Sequence, residues 1–126
     1  MPRFLPHGRA AAAAPVLSRA VLRAGARLGL THRMIGRIIG LSDATVSRMG
    51  SGDYVLASGD KPFELAVLLV RLFRSLDAIV GGDEAAARAW LRSDNAALGA
   101  PPLEKIQPVA GLVDAIAYLD ARRALV

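Results

Sequence analysis

Apolar residues recur three and four apart along most of the chain, and no long run alternates apolar with polar residues, so the pattern predicts an all-α fold. A first helix, Val16 to Leu28, turns Leu17, Val21, Ala24 and Leu28 inward and Arg19, Arg23 and Arg27 outward. Gly29 ends it, and Thr31 caps a second helix that carries Met34, Ile35, Ile38 and Ile39 at helical spacing to about Ile39. Gly36 is small where two helices would touch. Gly40 suits a corner with positive φ, Leu41 follows as an apolar plug, and Ser42 caps a third helix from Asp43 to about Met49. Val46 and Met49 then face the core. Gly50, Gly52, Gly59 and Pro62 mark a loop, after which a long helix runs from Phe63 to about Val80. Its Leu65, Leu68, Leu69, Leu72, Leu76, Ile79 and Val80 cover a face broad enough to pack against a second subunit as well as its own domain. Asp83 caps a helix from Glu84 to about Ser93, anchored by Trp90 and Leu91. Leu103 to Ile106 is at most one turn. Pro108 opens a last helix to about Arg123, with Val109, Leu112, Ile116 and Leu119 in near-heptad register.

The segment Thr31 to Gly50, two short helices around a glycine corner, reads as a helix-turn-helix, whose second helix enters the major groove with its N-terminal residues near base edges. Ser42, Asp43, Ala44, Thr45, Ser47 and Arg48 are the candidate readers. Arg48 suits guanine, and equally a phosphate or a surface ion pair; Ala44 and Thr45 suit a thymine methyl. Asp43 either accepts from cytosine or complements the helix dipole, the second being favoured. Arg33 and Arg37 on the preceding helix are placed for phosphates, or for solvent. An ordinary helical hairpin in a bundle is the competing reading of the segment.

Charge strengthens the nucleic-acid reading. The 126 residues carry a net +5, and all of it lies in residues 1–60, where eight Arg face three Asp. Residues 61–126 balance eight Lys or Arg against eight Asp or Glu. A polyanion suits such a basic half, because phosphate neutralisation supplies most non-specific affinity.

Other classes fall away. There is no Cys, which excludes disulfides and Cys-based zinc sites and fits a reducing cytoplasm. His7 and His32 pair with no carboxylate at catalytic or ligand spacing and no phosphate-cradling glycine loop occurs, so neither an enzyme, a metal nor a cofactor is expected. Charges at Glu64, Arg71, Arg74 and Asp77 break the longest apolar stretch, so no membrane span is expected. Met1 to Pro15 reads as a flexible tail, not an export signal.

From Trp90 onward the chain resembles a known family. Trp90-Leu91, Asn95, Leu98-Gly99, Pro102-Leu103 and Gly111 ahead of the last helix stand in the order shown by the toxin-binding domain of the Xre/MbcA/ParS-type antitoxins. The preceding long helix and helix-turn-helix are similar to that family's too. Ala100 replaces a common second glycine, and no glycine follows the last helix. The resemblance implies an antitoxin that binds and blocks a RES-domain, NAD+-depleting toxin, dimerises, forms larger assemblies with the toxin, and represses its own operator. It also implies that the C-terminal end lies at the toxin's active-site entrance, which here places Tyr118, Asp120, Arg122, Arg123, Leu125 and Val126 against the toxin. Paired Arg residues at a helix end offer bidentate donors to a carboxylate, although they equally complement the helix dipole.

The expectation is thus a cytoplasmic, dimeric antitoxin: a tail (1–15), a helix-turn-helix DNA-binding domain (16–60) and a helical dimerisation and toxin-binding domain (61–126). The rivals are a stand-alone transcription regulator and a protein-binding adaptor without DNA. The base-reading face, poor in Asn, Gln and Lys, keeps the adaptor in play.

Overall fold

The computed structural model describes residues 9–124, with side chains from residue 13 onward. Seven helices follow one another: α1 (Arg9–Arg27), α2 (His32–Ile39), α3 (Asp43–Ser51), α4 (Lys61–Val80), α5 (Glu84–Arg92), α6 (Pro102–Lys105) and α7 (Val109–Arg123), with no strand among the described residues. The all-α expectation holds. α1 begins seven residues before the expected Val16, because Ala10 to Ala14 is a run of the strongest helix former. Pro15 lies inside it and costs one rung of the backbone ladder without ending the helix. Gly50, expected in the loop, lies within α3, which closes instead at Gly52.

Local capping explains the other boundaries. Thr31 accepts from the Met34 amide, Ser42 from Thr45 and Asp83 from Ala86, each at 3.1 Å. Pro62 occupies the first turn of α4, where its missing N–H costs nothing.

α4 is the axis of the molecule. It packs against α1, α2, α5 and α7, and Leu69, Leu72 and Leu76 are fully buried on it. Of its expected apolar face, Leu65, Leu68, Ile79 and Val80 are only half-buried. One hydrophobic cluster runs from Val21, Ile35 and Val46 on the helix-turn-helix side through α4 to Leu91, Ile106, Leu112 and Leu119. Val109 departs from expectation: it is 53% exposed, since it stands in the first turn of α7 at the edge of the stripe formed by Leu112, Ala115, Ile116 and Leu119. Trp90 is half-buried rather than a core anchor.

Two sets of polar contacts lock the front of the chain to the rest. The buried Ser18 hydroxyl donates to the Ala14 carbonyl at 2.8 Å and accepts from the Leu56 amide at 3.0 Å. From α5, Arg88 donates to the carbonyls of Ala26 and Arg27, both at 3.1 Å. Arg92 donates to those of Leu28 and Gly29 at 3.2 and 2.8 Å. These carbonyls belong to the end of α1 and to the two residues that follow it, where intrahelical donors run out.

Candidate functional site

The corner between α2 and α3 is built around one carbonyl. Gly36 O accepts from the amides of both Gly40 and Leu41, at 2.8 and 2.9 Å, and Gly40 takes the left-handed φ of 84° that a residue without Cβ tolerates. A Cβ on Gly36 would fall on the Leu41 carbonyl oxygen. Gly36 thus makes room for the turn's backbone, and not for a second helix as its spacing suggested. Val46 and Met49, 0% and 5% exposed, fix the rotation of α3.

That rotation exposes Ser42, Asp43, Ala44, Ser47 and Arg48 and leaves Thr45 partly covered. Three of the expected readers are joined to one another. Thr45 Oγ1 accepts from Ser42 Oγ at 2.8 Å and from Arg48 Nη2 at 3.0 Å. Ser47 Oγ lies 3.0 Å from His32 Nδ1, which pins the outer face of α3 to the first turn of α2. Arg33 and Arg37 are exposed one turn apart on α2, and neither has an ion-pair partner among the described residues. Asp43 stands in the first turn of α3, where a carboxylate complements the helix dipole. The arrangement offers a cationic, hydroxyl-bearing convex face of the size that a major groove admits.

At the other end, the expected toxin-facing residues divide into two clusters on different sides of α7. Tyr118 stacks on Trp90 of α5, centroids 6.4 Å apart and planes 18° from parallel. The Arg122 guanidinium lies 5.7 Å from the Tyr118 ring centroid and donates to its hydroxyl at 3.3 Å. Asp120 instead faces α4: it accepts from Ser75 Oγ at 2.7 Å and from Arg71 Nη2 at 2.8 Å, while Arg123 Nη1 donates to Ser75 Oγ at 3.2 Å. The Ser75 hydroxyl does most to hold the Asp120 carboxyl below its ordinary range, with the hydrogen bond and charge of Arg71 and the charge of Arg123 adding to it and partial burial working against it. Asp120 is therefore a fastener between α4 and α7 within the chain. Leu125 and Val126 lie outside the described residues.

Gly111 does not precede the last helix but sits in its first turn, where a Cβ would strike the Lys105 carbonyl oxygen. It lets α6 abut α7. Ser18, Ser75, Arg88 and Arg92 carry these junctions, and sequence reasoning did not single them out. A hydroxyl in the buried Leu72–Leu76 turn was the available signal for Ser75. No group of three potential metal ligands and no helix long and apolar enough to cross a membrane occurs among the described residues.

Residues 7–71 match the model of the antitoxin Xre-like helix-turn-helix domain, and residues 75–124 that of the antitoxin Xre/MbcA/ParS C-terminal toxin-binding domain. Among solved structures, the fold is similar to a chain of the M. tuberculosis MbcT–MbcA toxin–antitoxin complex, with a TM-score of 0.67 at 24% identity, over 88% of this chain and 96% of that one. No curated protein matches the sequence.

Proposed function

Because the chain belongs to the Xre/MbcA/ParS antitoxins, an Xre-like helix-turn-helix followed by a toxin-binding domain, we propose that it neutralises a RES-domain, NAD+-depleting toxin by steric occlusion and represses its own operon by binding operator DNA. Residues 16–60 contact DNA and residues 61–126 contact the toxin. The protein acts in the cytoplasm as a homodimer, and larger assemblies form with the toxin. Two α3 helices then enter successive major grooves about 34 Å apart. Arg48 reads a base, while Arg33 and Arg37 hold phosphates.

The observation that carries the toxin reading is the Trp90–Tyr118–Arg122 stack. It fixes a guanidinium in the last turn of α7 over the Tyr118 ring, which itself stacks on Trp90, within the segment that matches the toxin-binding domain. A planar donor held this way suits a carboxylate at a pocket mouth, and the helix that carries it covers the entrance without doing chemistry. Ser47, Thr45 and Ser42 offer hydroxyls, and Ala44 a methyl, to the groove.

Co-expression with the product of the adjacent gene tests this reading. A stable complex that protects cells, and that loses protection on Arg122→Glu, supports occlusion by the end of α7. No complex with the wild-type chain overturns it. Cutting the chain before Tyr118 would be a poor test, because it removes the fully buried Leu119 and the Asp120 fastener along with the contact surface.

A further inference from the structure

A groove of about 530 Å³ runs between α1 and α4. Its lining is mostly apolar, including Val16, Leu17, Phe63, Val67 and Val70, of which Val16 and Val67 are 55% and 44% exposed. Arg71 and Arg74 complete the lining. Arg74 is shared with two adjoining hollows, one holding Arg71, Ser75, Asp120 and Arg123, the other Arg23, Arg27 and Phe73. Together the three linings contain five guanidinium groups and one carboxylate. That carboxylate, Asp120, is already paired with Arg71, and Arg27 is paired with Glu84 outside the hollows. Arg23, Arg74 and Arg123 have no carboxylate partner among the described residues.

Apolar lining and unbalanced cations together narrow the occupant. A second copy seated on the same face would bring two surfaces of net positive charge together, since a two-fold contact uses the same patch on both molecules. Like charges would then lose water together, which is unfavourable. A nucleic acid would satisfy the cations but leave Val16, Val67 and Phe63 facing phosphates and sugars. A protein segment with apolar side chains on one face and carboxylates at its edge satisfies both.

We propose that the α1–α4 groove is a second docking surface for the toxin, receiving an acidic amphipathic segment whose apolar side chains seat between Val16 and Val67 and whose carboxylates meet Arg74 and Arg123. This rests on the antitoxin reading above and extends it. Val16, Phe63, Val67, Arg71 and Arg74 all precede residue 75, so the groove lies outside the part of the chain that matches the toxin-binding domain. Toxin contact then spans both halves of the antitoxin and does not end at α7.

The test compares binding of the co-expressed toxin to the full-length wild-type chain and to Val67→Asp and Arg74→Glu, with the melting temperature of each variant as a check on folding. Both changes fall on exposed positions. Each should weaken the complex by about tenfold or more, with a weaker salt dependence for Arg74→Glu, while self-association in sedimentation and retardation of operator DNA stay as in the wild type. Wild-type binding with both folded variants within about twofold of it overturns the docking surface and leaves the antitoxin reading intact. Variants that instead change self-association make the groove an interface between copies and also overturn the proposal. If the wild-type chain itself fails to bind the toxin, the antitoxin reading falls and the proposal with it.

Discussion

The hydroxyl of Ser18 in the middle of α1 and the backbone amide of Leu56, thirty-eight residues later, meet at 3.0 Å in the interior. This one contact satisfies a buried N–H in the connector between α3 and α4, a stretch with no ladder of its own. Ser18→Ala leaves that donor unpaired, which costs about 1–3 kcal/mol. Chemical denaturation should show the loss as a lower midpoint with an unchanged slope; a midpoint within error of wild type would remove Ser18 from the list of structural keys.

Gly36→Ala separates intrinsic preference from packing. In an unencumbered helix the change stabilises by about 1 kcal/mol. Here the new methyl falls on the Leu41 carbonyl, backbone that cannot swing aside, so the net effect should be a destabilisation of about 1–3 kcal/mol. Thermal unfolding decides the sign, and a raised melting temperature would show that the corner is looser than described.

Asp120 gives the stability an acid-side dependence. Its folded pKa is depressed, chiefly by Ser75 and then by Arg71, so its contribution is present above the unfolded carboxylate pKa of about 3.9 and is lost as pH falls through the lower folded value. Wild type should therefore exceed Asp120→Asn in stability at neutral pH, and the gap should close as pH falls below about 4. Denaturation midpoints of the two proteins from pH 7 to pH 2 check this; a constant gap would mean that packing, not charge, fastens α4 to α7.

The two helices of the proposed DNA-binding face should differ in what they lose. Arg48→Ala should cost about 1–3 kcal/mol on the operator and little on random DNA, whereas Arg33→Ala should weaken both alike and lower the salt slope by about one. Fluorescence anisotropy at several salt concentrations measures both quantities. Equal losses on operator and random DNA for Arg48→Ala would assign Arg48 to phosphate.

What was legible in the sequence was what neighbours in sequence decide. Thr31, Ser42 and Asp83 cap the helices they precede, and Gly40 turns the corner, because each acts within three or four residues. The start of α1 was misplaced because an alanine run lacks the periodicity that marks a buried face, although its propensity is high. Val109 matched the heptad spacing but fell at the edge of the buried stripe, a matter of a few tens of degrees of helix rotation. Of the candidate sites, the exposed set on α2 followed from its buried Ile35, Ile38 and Ile39, and that on α3 from Val46 and Met49. The division of Tyr118 and Arg122 from Asp120 and Arg123 depends on which helix covers each side of α7, and no local pattern carries that.

Arg88 and Arg92 finish the end of α1 from another helix. The carbonyls at and just past the end of the first helix accept from side chains more than sixty residues further on, on the same short helix that presents Trp90 to Tyr118. The end of the helix-turn-helix bundle and the Trp90–Tyr118 pair are therefore held by the same short helix. Residues 1–60 expressed alone would lose the leucines of α4 and the donors that close the end of α1 together, so a fragment cut at the glycine-rich loop should be less stable than the whole chain.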